Sequence, residues 1–335
     1  MRLLAPEFIE AAISVHHGYH RLDPWLLEEQ VVSSVELLDR PAAWQEAILH
    51  WLTLLQEDLG GAYYLLALPG ATLLSDRPHA EARWLTERVL ELASGIREIL
   101  GPAANPGFAG GVMMIAFTEL DDYDPYVTHH FPDGEQAATG GVFLDLPVPH
   151  IAFPWPSSGQ VNRVLGHELA HHCVAHLSLP LWLNEGVAQL VEKRLADGSG
   201  GPFETAAPAL DHERAERHRA CWTRDSIQAF WAGITFHVPG DSSELSYSLA
   251  EILVTLILQC RDGGAFTEFL RTATPEDAGQ AAAWDTLELD LGEVAATFLG
   301  PGNWRPQRKA IRTLQQTDPP GFPAPAGLPP PRVPR

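Results

Sequence analysis

The segment His167-Glu168-Leu169-Ala170-His171 limits what this chain can fold into more tightly than any other stretch. Residues four apart on an α-helix project from nearly the same face, so the imidazoles at 167 and 171 can grip one ion. Glu168 stands about 100° around the helix from His167, where it can reach a water bound to such an ion. The surroundings require that helix to be buried. Between Val161 and Leu177 the only charged types are Arg163 and Glu168. Val161, Leu165, Leu169 and Cys173 form an apolar stripe, and Val164 and Val174 flank the two histidines. A helix apolar on several faces belongs in a core, and a carboxylate there is costly unless its charge is compensated. A bound dication with its polarised water would compensate it. Two satisfied core histidines are the plainer alternative.

The following segment offers a third ligand. Leu177-Ser178-Leu179-Pro180 has the character of a turn, because proline suits the first turn of a new helix. From His171 to that turn the chain climbs on the order of 10 Å at helical pitch, and from Pro180 to Glu185 it returns roughly 7–8 Å. In an antiparallel pair Glu185 then stands near the height of His171, whereas Glu192 overshoots by about two turns. Glu185 is the expected ligand.

His167-Glu168-x-x-His171 followed by Asn184-Glu185-Gly186 resembles the gluzincin superfamily, the thermolysin-like peptidases with two histidines and one glutamate on zinc. Leu179-Pro-Leu-Trp-Leu-Asn-Glu-Gly-Val-Ala is similar to bacterial peptidase-MA-like proteins. Thirteen residues separate His171 from Glu185, fewer than in thermolysin or the large aminopeptidases of that superfamily. The resemblance covers roughly residues 60–270. It implies about one zinc per chain on His167, His171 and Glu185, with a fourth position left to water. It implies Glu168 as general base in hydrolysis of a peptide or protein substrate. Tyr247, opening a helix beyond Glu185, is similar in placement to a tyrosine of the aminopeptidase branch and is the candidate oxyanion donor. His212, His218 and His237 compete for that role.

An edge strand that pairs with extended substrate is also part of that plan, and either 141–143 or 151–153 could supply it. No motif for a free peptide N-terminus is present, so an endopeptidase is expected over an aminopeptidase. Other classes remain open: a catalytically silent zinc protein of the same fold acting in regulation or interaction, a metal-free scaffold, and a zinc hydrolase of a non-peptide bond.

Composition narrows the classes further. A formal net charge of −21 excludes a basic nucleic-acid-binding surface as the main function. Cys173, Cys221 and Cys260 are odd in number and widely spaced, which fits reduced thiols in a cytoplasmic setting. Pro6 and two carboxylates break the opening residues before a signal-peptide core could build. The apolar run 252–258 is much too short to span a bilayer, so no membrane partner is expected.

Along the chain, residues 24–59 predict a helical hairpin interrupted at Arg40-Pro41, and 78–100 a long amphipathic helix. Strands are expected over 63–68, 111–117, 141–146 and 150–153, the last two split by prolines. The motif-bearing helix pair covers 158–195, and further helices cover 209–222, 245–259 and 266–271. His16, His17 and His20, and likewise His129-His130 in a polar stretch taken as loop, are expected at the surface. His172 and His176 project about 100° or more from the face of the motif histidines and are expected to contact the interior or to support the ligands from behind, and not to form another metal site.

Strands before the motif and helices after it predict an α+β fold of two lobes. This is a gluzincin-like plan, with a small mixed or antiparallel sheet beside the motif helix and a mainly helical C-terminal lobe. The expected segments are 1–60, helical; 61–196, the motif-bearing lobe; 197–315, helical; and 316–335, a proline-rich tail expected to be disordered or polyproline-like.

Overall fold

A computed structural model describes residues 3–105, 111–130, 140–145, 147–197 and 212–317; the proline-rich tail expected beyond them lies outside these residues. The fold is α+β with a mixed sheet. The chain divides into two compact units, residues 1–94 with 106–172, and residues 95–105 with 173–335.

In the first unit, α1 (Pro6–Ala11) leads into a hairpin of β1 (Ile13–His16) and β2 (Tyr19–Leu22), followed by α2 (Pro24–Ser34) and α3 (Arg40–Leu59). Arg40-Pro41 does not interrupt a helix: Pro41 sits in the first turn of α3, where its missing N–H costs nothing. The break falls just before it, at a 3-10 turn over Leu37–Asp39. The hairpin itself has no counterpart in the sequence-based expectation of an all-helical segment.

Five strands make the main sheet: β3 (Tyr64–Leu68), β4 (Ala71–Ser75), β5 (Val112–Phe117), β6 (Val142–Leu144) and β7 (His150–Pro154). Between β4 and β5 runs α4 (His79–Leu100), between β5 and β6 runs α5 (Leu120–His130), and α6 (Val161–Val174) follows β7. The strand order is β3-β4-β5-β7-β6, with β4, β5 and β7 parallel and both edges antiparallel. All six residues of Val-Met-Met-Ile-Ala-Phe in β5 are buried, as a central parallel strand covered on both faces requires.

One face of this sheet packs on α3. Trp44, Ile48, Trp51 and Leu55 of that helix join Leu74, Met113, Ile115, Phe117 and Ala152 in one apolar cluster, with Tyr123 and Tyr126 of α5 closing it. His129 and His130 are therefore the last turn of a helix and not a loop; a proline inside α5, Pro125, hides the helix from a reading of the sequence. His16 and His17 are exposed as expected. His20 instead lies 2.8 Å from both carboxylate oxygens of Asp58 on α3.

The second unit is helical: α7 (Leu181–Asp197), α8 (His212–Cys221), α9 (Ser226–Trp231), α10 (Asp241–Cys260), α11 (Gly263–Thr272), α12 (Gln280–Leu287), α13 (Leu291–Leu299) and α14 (Arg308–Thr317). Its centre is α10, whose Leu249, Ile252, Leu253, Val254 and Ile257 are buried. Among the described residues this is the helix long and apolar enough to cross a membrane, but more than half of it is packed inside the unit, as a core helix must be. Around it Trp182 and Phe230 meet Trp231 edge to face, and Phe236 stacks on Phe230. The indole N–H groups find carbonyls, Trp182 donating to Ala278 at 3.0 Å and Trp231 to Trp304 at 2.8 Å.

Candidate metal centre

Helix α6 carries its histidines where the apolar stripe demands. Val161, Leu165, Leu169 and Cys173 are all buried, which turns His167 and His171 together toward one side. Their rings stand 4.8 Å apart between centroids at 76°, and the two Nε2 atoms approach to 3.1 Å. Glu185, in the first turns of α7, completes the group: one ligand atom from each of the three residues lies within 4.8 Å of the others. Glu185 is the carboxylate that falls in this group. His167, His171 and Glu185 could thus hold a metal ion.

The donor set can be tested against zinc. Two nitrogens on a tetrahedral ion, each about 2.05 Å from it, stand about 3.3 Å apart. The observed 3.1 Å between the Nε2 atoms is close to that edge. Two neutral imidazoles presenting lone pairs to each other at this distance would repel. Either one Nε2 carries a proton and donates to the other, or a cation sits against both. Two imidazoles and one carboxylate also match the ligand types that zinc accepts in sites with an open position. The residues fit the ion.

Glu168 is buried, at 8% exposure, and its Oε2 accepts the main-chain N–H of Phe143 at 2.7 Å. Phe143 lies on β6, an edge strand of the five-stranded sheet, and its N–H points away from β7 and toward the helix. Gly141 lets this strand come so close. A Cβ there would stand 3.1 Å from Val164 Cγ1, 3.2 Å from Phe153 Cβ and 3.4 Å from Glu168 Cγ. Of the two stretches weighed as an edge strand, 141–143 holds the edge, while 151–153 lies inside the sheet between β5 and β6.

The other histidines have separate places. His172 is buried with its ring edge-on to Phe143 at 5.6 Å. His176, expected toward the interior, is instead exposed at the end of the motif helix, with desolvation by neighbouring groups still lowering its pKa. His212 pairs with Glu216 at the surface, and His218 is buried against Trp222 and Ser248. Tyr247 packs edge-on against Phe236 at 5.2 Å and lines a cavity with Arg214, Ser248 and Glu251.

Two features of the site were not read from the sequence. One is the main-chain N–H of Phe143, for which the pair Gly140-Gly141 ahead of an apolar run was the available signal. The other is Gly186, where a Cβ would meet Ala250 O at 2.6 Å and Val254 Cγ2 at 2.7 Å. This glycine, next to Glu185, lets α7 lie directly against the backbone of α10. The chain matches no protein-family model and no curated protein sequence.

Proposed function

We propose that this protein is a zinc-dependent peptidase of gluzincin-like design, an endopeptidase in preference to an aminopeptidase. The observation that carries the reading is the convergence of His167, His171 and Glu185, with Glu168 one position from the first histidine. His167, His171 and Glu185 would hold the ion, and zinc so bound acidifies a water molecule and polarises a carbonyl.

The protein's own groups account for the rest. Glu168 accepts a proton from the attacking water and returns it to the nitrogen of the leaving amine. Its Oε2 accepts the Phe143 N–H, which fixes the orientation of the side chain that carries the proton. On the unpaired side of β6 the Phe143 N–H is taken by Glu168, and the carbonyl of that residue with the flanking main chain is what an extended peptide would align on. Tyr247 is the proposed donor to the developing oxyanion.

A metal-binding protein of the same fold without catalytic activity is the second reading, favoured by the same Phe143–Glu168 hydrogen bond if that bond keeps the carboxylate from water. One set of variants separates the two. Glu168→Gln keeps size and removes the base, so zinc content should persist while hydrolysis of a mixed peptide library falls roughly 10²–10⁴-fold. Glu185→Gln should lose zinc, because it removes a charged ligand. A wild-type protein that holds zinc yet cleaves nothing supports the silent reading. Equal zinc loss in both variants would show the ligands to be misassigned.

A further inference from the structure

Helices α7, α8 and α10 line an open cavity of about 620 Å³, a size that holds small molecules. Arg214, Arg217, Glu244, Ser248 and Glu251 stand on its wall, and their hydrogen bonds leave one kind of group open. Trp222 Nε1–H can only donate, and it lies 2.9 Å from His218 Nδ1. Nδ1 therefore accepts, and a neutral His218 carries its proton on Nε2. Burial, reinforced by Arg214 and Arg217, pushes the His218 pKa down to about 4, so the neutral ring prevails at pH 7. Nε2–H then donates to Ser248 Oγ at 2.8 Å, and Arg214 Nε–H donates to the same oxygen at 2.8 Å.

Both lone pairs of Ser248 Oγ are thereby used, and its hydroxyl hydrogen has no acceptor among the described residues. The same tautomer prevents His218 from acting as a base toward Ser248, so the pair is not an activated nucleophile.

The principal acceptors on the wall are already bound. Both oxygens of Glu244 take Arg217, at 2.8 and 3.0 Å. Glu251 takes Lys193 at 3.1 Å and Arg214 Nη2 at 3.2 Å. Gln189, Glu213 and Tyr247 also line the cavity, and beside them the Ser248 hydroxyl and the Nη1 hydrogens of Arg214 form a pair of donors for which no acceptor is found among the described residues. Charge then selects the ligand. Arg214, Arg217 and the adjoining Lys193 formally balance Glu213, Glu244 and Glu251, so a singly charged acceptor adds less repulsion from the three carboxylates than a dianionic phosphate does.

We infer that this cavity binds the carboxylate of a small organic acid of amino-acid to dipeptide size, seated on Arg214 Nη1–H and Ser248 Oγ–H. The inference stands on the second unit alone and does not require the metal reading. Titration calorimetry on the full chain tests it with N-acetyl-alanyl-alanine, its C-terminal amide and inorganic phosphate. The acid should bind saturably, and the amide and phosphate at least about tenfold more weakly, the value of one such contact.

Ser248→Ala and Arg214→Lys should each weaken the acid several-fold, while Ser248→Thr, which keeps the hydroxyl, and Arg219→Gln, on the exposed face of α8, should not. His167→Ala should bind the acid as the wild type does, which separates this cavity from the metal centre. Equal binding of acid and amide, no binding up to ~10 mM, insensitivity to both Ser248→Ala and Arg214→Lys, or loss of binding in His167→Ala would each overturn the inference.

Discussion

At the scale of single residues, Gly186 and Phe143 place their chemistry through the backbone. The contact of 2.6 Å that a Cβ at 186 would make is with Ala250 O, a helix carbonyl that cannot swing aside. Alanine is the better helix former by about 1 kcal/mol, yet overpacking a tight interface costs about 1–3 kcal/mol. Gly186→Ala should therefore be net destabilised, seen as a lower urea midpoint with an unchanged slope. It should also bind zinc more weakly, since Glu185 is its neighbour. A variant as stable as wild type would show slack between α7 and α10. At Phe143 the working group is the N–H, so Phe143→Ala should keep the anchor on Glu168. Phe143→Pro removes it, at an edge position where proline is tolerated. Peptide hydrolysis should fall well below that of Phe143→Ala, with zinc content unchanged in both. Equal rates in the two variants would remove the N–H from the mechanism.

At the scale of elements, α5 and β7 form a histidine cluster that makes the fold acid-sensitive. Ring centroids of His129 and His130 lie 4.9 Å apart, and those of His130 and His150 5.5 Å. His150 Nδ1–H donates to Val148 O at 2.6 Å, and its Nε2 accepts the Tyr126 hydroxyl at 2.7 Å. Burial pushes His150 down to about 4 and His130 to about 2; His129, also at about 4, is more open to solvent. Arg21 and His17 add repulsion at the His129 end.

These pKa values lie below the unfolded value near 6.5, so the unfolded chain binds protons that the folded one refuses. The stability is whole above about pH 6.5 and is lost as pH falls from there toward 4. His150 alone should account for on the order of 1–3 kcal/mol by pH 4. Urea midpoints at stepped pH values between neutral and mildly acid should show this fall, shallower in His130→Phe. A flat profile would mean that the cluster accepts protons without opening.

For the whole molecule, the proposed ion couples ligand occupancy to stability. Any ligand that binds only the folded state adds about 2.7 kcal/mol at a free concentration of 100 times its Kd. Zinc should raise the calorimetric melting temperature of the wild type, and a chelator should reverse it. The shift should vanish in His167→Ala and His171→Ala. A metal-independent melting temperature in the wild type would argue that the three residues are a hydrogen-bonded core group instead.

Much of this protein was determined locally and could be read from the chain. The spacing of His167 and His171, the burial of α6, the position of Glu185 on the next helix and the limits of α4 follow from a helical ladder that joins each residue to one four places away. Strand partners are set over long separations, and there the chain was silent. Only tertiary structure placed β7 inside the sheet and left β6 at its edge, which decided that Phe143 and not Ile151 meets Glu168 across 25 residues of sequence. Likewise it paired His20 with Asp58, drew His218 to Ser248, and made Gly186 a packing requirement of α10. Local periodicity fixes which side chains share a face; what that face meets depends on contacts that form only when distant segments are packed together.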